Sequence, residues 1–272
     1  MDLLSIIGFI MAIALIIISI LMGEDPDTGR TTLIVEQLKG FIDVGSIAIV
    51  FGGTIGAMMV SYPASMFKQM LKHLKIIFFP TKYNPLECIE HITSFATEAR
   101  INGLLALEEK MNEIKDPFMK NALMLVVDSV EPEKVKMLLE NELDYLEERH
   151  AQSQSFYMKM SEYAPAFGMA GTLIGLINLL ANMQDADALA ANMAVALVTT
   201  FYGVLIANLF AKPVASKLKK RHEEEYLYKM IISEGVKSIQ DGDNPRFIEE
   251  KLMRLLPSSM NTLNGNGKNK KG

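Results

Sequence analysis

The chain has 272 residues, with 27 Lys and Arg against 32 Asp and Glu, a net charge of −5, and half of its residues hydrophobic. Mean hydropathy is +0.19 and the apolar residues collect in long runs, which points to an integral membrane protein. The acidic balance gives no footprint for nucleic acid. The single cysteine, Cys88, excludes an internal disulfide and a cysteine-built metal site, and the four histidines, His73, His91, His150 and His222, show no ligand spacing.

Residues 3–22, LLSIIGFIMAIALIIISILM, form an uncharged run matching the ~20 residues a helix needs to cross a bilayer. A cleaved signal peptide would carry Lys or Arg before a shorter apolar core. Asp2 precedes this run, so a retained first span is expected. After a short hydrophilic connection, a second run covers about 42–64. It opens with Asp43 and contains Gly52, Gly53 and Gly56, small residues suited to close helix contact.

Residues 68–161 read as helices throughout, because no segment alternates with the period of a strand. Asn84-Pro85 and Asp116-Pro117 each place an N-cap residue before Pro at the first helical position, and Pro132 marks a third start. From there the chain has no breaker before Pro165, enough for a helix of roughly 30 residues or about 45 Å.

Residues 163–211 hold two more apolar runs joined by a short acidic turn. Gly168, Gly171, Thr172 and Gly175 share one face of the first, and Ala196, Thr199, Thr200, Gly203 and Ala207 one face of the second. Such a face lets two helices approach closely, and it also presents hydroxyl oxygens to a passing cation. Lys212-Pro213 closes the fourth span, a basic cluster follows, another helix reaches about Gln240, and a short one ends near Leu256. The Asn-, Gly- and Lys-rich tail, 258–272, is expected to be disordered.

Of the Lys and Arg residues, only Arg30 and Lys39 lie between spans one and two, and none lies between spans three and four. The positive-inside rule then predicts that both termini and the large central loop are cytoplasmic. The expected class is an all-α integral membrane protein with four transmembrane helices. Its parts are spans one and two (1–64), a cytoplasmic helical domain (65–161), spans three and four (162–212), C-terminal cytoplasmic helices (213–257) and the tail. No Asp, Glu, Lys, Arg or His sits well inside any of the four runs. Ion-moving chains usually carry an intramembrane carboxylate, so a conducting assembly would need a partner to supply it. No catalytic constellation is present, and the expected cofactor list is empty apart from a transported cation.

Several stretches in one order resemble the A subunits of the bacterial flagellar stator, the MotA and PomA proteins. They are GLLALE at 103–108, DPFMKNALMLVVDS at 116–129, ERH at 148–150, YAPAFGMAGTLIGL at 163–176, MAVALVTTFYG at 193–203 and PVASKL at 213–218. The resemblance implies a ring of A subunits, five in number, around two copies of a MotB- or PomB-like B subunit whose transmembrane Asp binds the ion. It further implies torque on a FliG-like rotor protein at the inner membrane. ExbB and TolQ, energisers of outer-membrane processes driven by protons, are the alternative within the wider superfamily.

By the same resemblance, Pro165 and Pro213 match two prolines linked to coupling, although either also serves as helix punctuation. Thr200 matches a threonine of the ion route. Arg100 and Glu108 match a charged pair that touches the rotor, and Glu109 matches a charge of sodium-type members. Ile101 and Met111 depart from charged positions found in some members. Thr172, Thr199 and Asp43 also match sodium-type members. Oxygen ligands suit a partly dehydrated sodium ion, whereas a proton passed to a carboxylate has no need of them.

Overall fold

The structure, a computed structural model, describes residues 2–24, 31–111 and 114–257. The expected disordered tail and Arg30 lie outside these residues. Helices dominate: α1 (Leu3–Leu21), α2 (Val44–Ser61), α3 (Ala64–Phe78), α4 (Pro85–Asn102), α5 (Leu107–Lys110), α6 (Pro117–Val127), α7 (Pro132–Ala181), α8 (Ala186–Leu205), α9 (Lys212–Gln240) and α10 (Pro245–Met253). Four helical stretches are long and apolar enough to cross a membrane: α1, α2, the apolar part of α7, and the run Leu189–Gln240 that joins α8 to α9.

The helix starts follow from local chemistry. Each of the first four N–H groups of a helix lacks an internal partner, and a short polar side chain just before the helix can accept from one of them. Asp2 accepts from Ser5 N, Asp43 from Ser46 N at 2.6 Å, Asn84 from Glu87 N, Asp116 from Met119 N and Asn244 from Arg246 N. At Asn84, Asp116 and Asn244 the next residue is Pro, whose missing N–H costs nothing there. Gly103 ends α4 at φ +84°, ψ 165°, a region open essentially to glycine alone. Gly242 closes α9 at φ +74°.

Two features depart from the all-helical expectation. Met22–Glu24 (β1) pairs antiparallel with Thr31–Leu33 (β2) in the connection after α1. Strands of three residues are too short to display an alternating pattern. α2 and the fourth span each also contain a π-helical segment, at Ala48–Gly52 and Ile206–Ala211. The second ends two residues before Pro213, whose ring crowds the carbonyl four residues back, inside that segment, and removes one backbone bond.

The chain divides into two compact units, residues 1–81 with 151–219, and residues 82–150 with those from 220 onward. The first contains α1, α2, α3 and the apolar parts of the later helices. Phe156 and Tyr157 are fully buried there, among Met58, Met66, Ile77 and Leu218. His73 Nδ1 lies 3.3 Å from Tyr157 Oη, so this buried imidazole has a partner. α1 buries none of its residues. The second unit has a conventional apolar core in which Ile92, Leu107, Leu123, Ile232, Ile248 and Leu252 are all but inaccessible. Cys88 belongs to that core. Burial, with the Asp116 carboxylate adding to it, pushes its thiol up to about 12, as befits a packing residue.

Candidate functional site

The small faces of the third and fourth spans meet one another. A Cβ added to Gly168 would lie 3.1 Å from Thr199 O, one on Gly171 2.5 Å from Thr199 Cγ2, and one on Gly175 2.9 Å from Ala196 Cβ. At the other end of the contact, a Cβ on Gly203 would stand 2.6 Å from Ala164 O and 3.0 Å from Pro165 Cα. The glycines are therefore the price of backbone-to-backbone approach, and the packing role of this face is realised.

That packing sorts the hydroxyls. Thr199 is fully buried, with Oγ1 at 2.9 Å from Val195 O and 3.0 Å from Ala196 O, so its hydrogen bonds to its own helix. Thr172 and Thr200 lie at the edge of the contact, where Thr172 is half-buried and Thr200 exposed. Their Oγ1 atoms are hydrogen-bonded to each other across the two helices, and Thr172 Oγ1 is also 3.0 Å from Ala196 O. If Thr200 donates to Thr172 and Thr172 to the carbonyl, both protons are used and the lone pairs of Thr200 face outward.

Asp43 sits apart, as the cap of α2. Next to it, fully buried Ser46 has its Oγ 3.5 Å from Val195 O, which ties the start of α2 to α8. Phe41 packs edge-on against Phe201, and its carbonyl accepts from Tyr202 Oη. Pro165 does not interrupt α7, which continues through it to Ala181; Gly203 fits against it instead. Pro213 likewise lies within an unbroken helical run and is exposed.

In the second unit Arg100, Glu108 and Glu109 are all exposed around the Gly103 turn. Glu98 holds the two sides of this turn together. Its carboxylate takes Lys110 Nζ at 2.6 Å and Asn102 Nδ2 at 2.5 Å. Among the described residues no ion pair joins Arg100 to Glu108.

The sequence gives no warning of one further meeting, since its partners are 72 residues apart. His150 Nδ1 and His222 Nδ1 lie 3.1 Å from each other, with the rings at 88°. One must donate and the other accept, so the contact needs at least one neutral ring. Burial holds the His150 imidazole below its ordinary 6.5; Glu225 partly offsets this, and positive charge on His222, Arg149 and Lys229 adds to the lowering. The unfolded chain therefore binds a proton that the folded chain refuses, and stability falls as the pH drops below about 6.5. Thermal unfolding of the full chain should shift to lower temperature on going from about pH 7.5 to about pH 5.5. The shift should shrink in His150→Gln; an unchanged pH slope in that variant would exclude the pair as its source.

Residues 110–231 match the MotA/TolQ/ExbB proton channel family. Motility protein A of Borreliella burgdorferi is 41% identical over 265 residues, covering 97% of this chain and 98% of that protein. Chemotaxis protein PomA of Vibrio alginolyticus is 36% identical over 256 residues, covering 94% of this chain and 96% of its own length. Among solved structures, that of C. jejuni MotAB superposes with a TM-score of 0.81 at 30% identity, covering 95% of this chain and 97% of that one. Four helices able to cross a membrane, a glycine-lined helix contact and similarity along nearly the whole length agree: the chain belongs to the MotA/TolQ/ExbB proton channel family, among its motility protein A members.

Proposed function

We propose that the chain is the ion-conducting A-type subunit of a flagellar stator in the bacterial inner membrane, with both termini in the cytoplasm. It works with a B-type partner that supplies the membrane carboxylate. The carrying observation is the Thr172–Thr200 hydroxyl pair at the exposed edge of a tightly packed helix pair that has no acid of its own inside the apolar stretch. A wall of that kind can pass a cation along but cannot hold its charge, so the binding step falls to another chain. The similar solved structures are of MotAB stators, which supports a MotB-type companion.

In this reading five copies surround two B subunits, with Thr172 and Thr200 facing the partner's Asp. Thr199 supports them from within the helix contact, and Asp43 gathers cations at the outer end. Pro165 and Pro213 relay each binding event to the cytoplasmic part, where Arg100, Glu108 and Glu109 press on a FliG-like rotor protein. One charge crossing 100 mV supplies about 2.3 kcal/mol, enough to bias a ring among nearly equivalent positions. Sodium is the favoured ion because hydroxyl oxygens replace part of its hydration shell.

Proteoliposomes test this. The chain with its partner should carry a flux that collapses when sodium is removed at constant proton gradient, and the chain alone should carry almost none. Full flux from the chain alone would refute the shared site. Undiminished flux without sodium would refute the choice of ion and leave the rest standing.

A further inference from the structure

The first unit holds a second arrangement apart from the threonine pair. Gly8 and Phe9 of α1, Ile77 of α3, and Phe210, Pro213 and Lys217 of the fourth helical run line an open, mainly apolar groove of about 570 Å³. That volume lies within the ~300–1,000 Å³ of small-ligand sites. α1 has no fully buried residue, so if it spans the membrane much of its surface is open to hydrocarbon, and the groove opens beside it.

Its polar lining side chains are Ser5, Asn208 and Lys217, of which Lys217 alone is charged. Lys217 Nζ stands 2.5 Å from the Asp2 carboxylate, and Lys212 Nζ stands 2.9 Å from the side-chain oxygen of Asn208, another lining residue. The hydrogen bond from Lys217 holds the Asp2 carboxyl down at about 2, so it stays ionised. Lys217 and Asp2 offset one another, and Lys212, outside the lining but bonded to Asn208 of it, supplies the one positive charge left over beside the groove.

We propose that this groove binds one anionic diacyl phospholipid of the phosphatidylglycerol type, with an acyl chain along α1 and the phosphodiester at Lys217. The inference rests on the membrane-spanning reading of α1 and the fourth run. An apolar trough beside lipid fills with chains, and a basic group between transmembrane helices at its end selects an anionic headgroup. The lysine stem lies along the apolar wall while its ammonium reaches the phosphate level. A zwitterionic phosphatidylethanolamine would bring its own ammonium against the excess positive charge.

The test uses the full chain with its partner subunit, extracted in detergent and placed in nanodiscs of equal phosphatidylglycerol and phosphatidylethanolamine. Retained lipid is counted by native mass spectrometry. Release from membranes by detergent alone is scored first, so a failure of the membrane reading is told apart from a failure of the site. The expected result is one retained phosphatidylglycerol per chain. Lys217→Gln should lower the preference for phosphatidylglycerol roughly fivefold.

Asp2→Asn should raise that preference, because Asn still caps α1 while the opposing charge is gone. A salt bridge that was only structural would move both variants in the same direction. A Cβ on Gly8 meets nothing within 4 Å, so Gly8→Phe should fill the groove and abolish retention at unchanged thermal stability. Equal retention of the two lipids, parallel shifts in Asp2→Asn and Lys217→Gln, or no retained lipid because a helix of a second copy fills the groove would each overturn the proposal.

Discussion

Gly203→Val should destroy the contact between the third and fourth spans and, with it, motility. The first atom of any side chain at this position would stand 2.6 Å from Ala164 O, 3.0 Å from Pro165 Cα and 3.2 Å from Ala164 C. All three are backbone atoms of α7, so no rotamer change can relieve them. Overpacking a close-packed core costs about 1–3 kcal/mol when side chains can yield. With only backbone to move, about 3 kcal/mol or more is expected, a large share of a typical folding free energy.

The order of stability should be Gly, then Ala, then Val, read as the unfolding temperature of detergent-solubilised protein and as its level in the membrane. Gly56 supplies the control. It lies in another span with nothing within 4 Å of an added Cβ, so Gly56→Ala should be neutral or slightly stabilising. Equal effects of Ala at the two positions would show that the close approach has no energetic weight.

A second large effect separates two adjacent threonines. Thr200→Val should reduce ion flux, or swimming speed in cells, at least tenfold, a barrier change of about 1.4 kcal/mol. Thr200→Ser, which keeps the oxygen, should stay within about threefold. Thr199 has its hydroxyl turned to its own helix and its methyl against Gly171. Thr199→Val therefore forfeits one local hydrogen bond, about 1 kcal/mol of stability, with flux within about twofold. Should Thr199→Val stop the flux while Thr200→Val leaves it intact, the exposed hydroxyl pair could not be the ion-facing element.

Helix positions were legible wherever a local rule decides them. Asn84-Pro85 and Asp116-Pro117 announced their starts, because cap and first-turn chemistry need only neighbouring residues. The four helices long and apolar enough to cross a membrane were legible from length and hydropathy alone. The small-residue stripe was legible as a face, but its two uses could not be told apart. Which threonine turns inward depends on the rotation of one helix against another, a property that periodicity does not carry.

The same limit hid the meetings of His150 with His222 and of Asp2 with Lys217, which depend on tertiary packing across long sequence separations. Pro165 misleads in another way. Proline usually ends a helix in water, yet inside an apolar bundle the neighbouring helix can accommodate it, and here Gly203 makes the room.

The π-helical segment at Ile206–Ala211 sets a phase. Each residue of a regular helix advances the face by about 100°, and a wide turn offsets everything on one side of it from everything on the other. Upstream, Ala196, Thr199 and Gly203 point into the contact with α7; downstream, Val214, Ala215 and Leu218 are buried as well. Removing one residue from the wide turn would tighten it to an ordinary one and swing one of these two sets out of register. This short stretch should therefore tolerate exchange of one apolar side chain for another, but no change in the number of residues it contains.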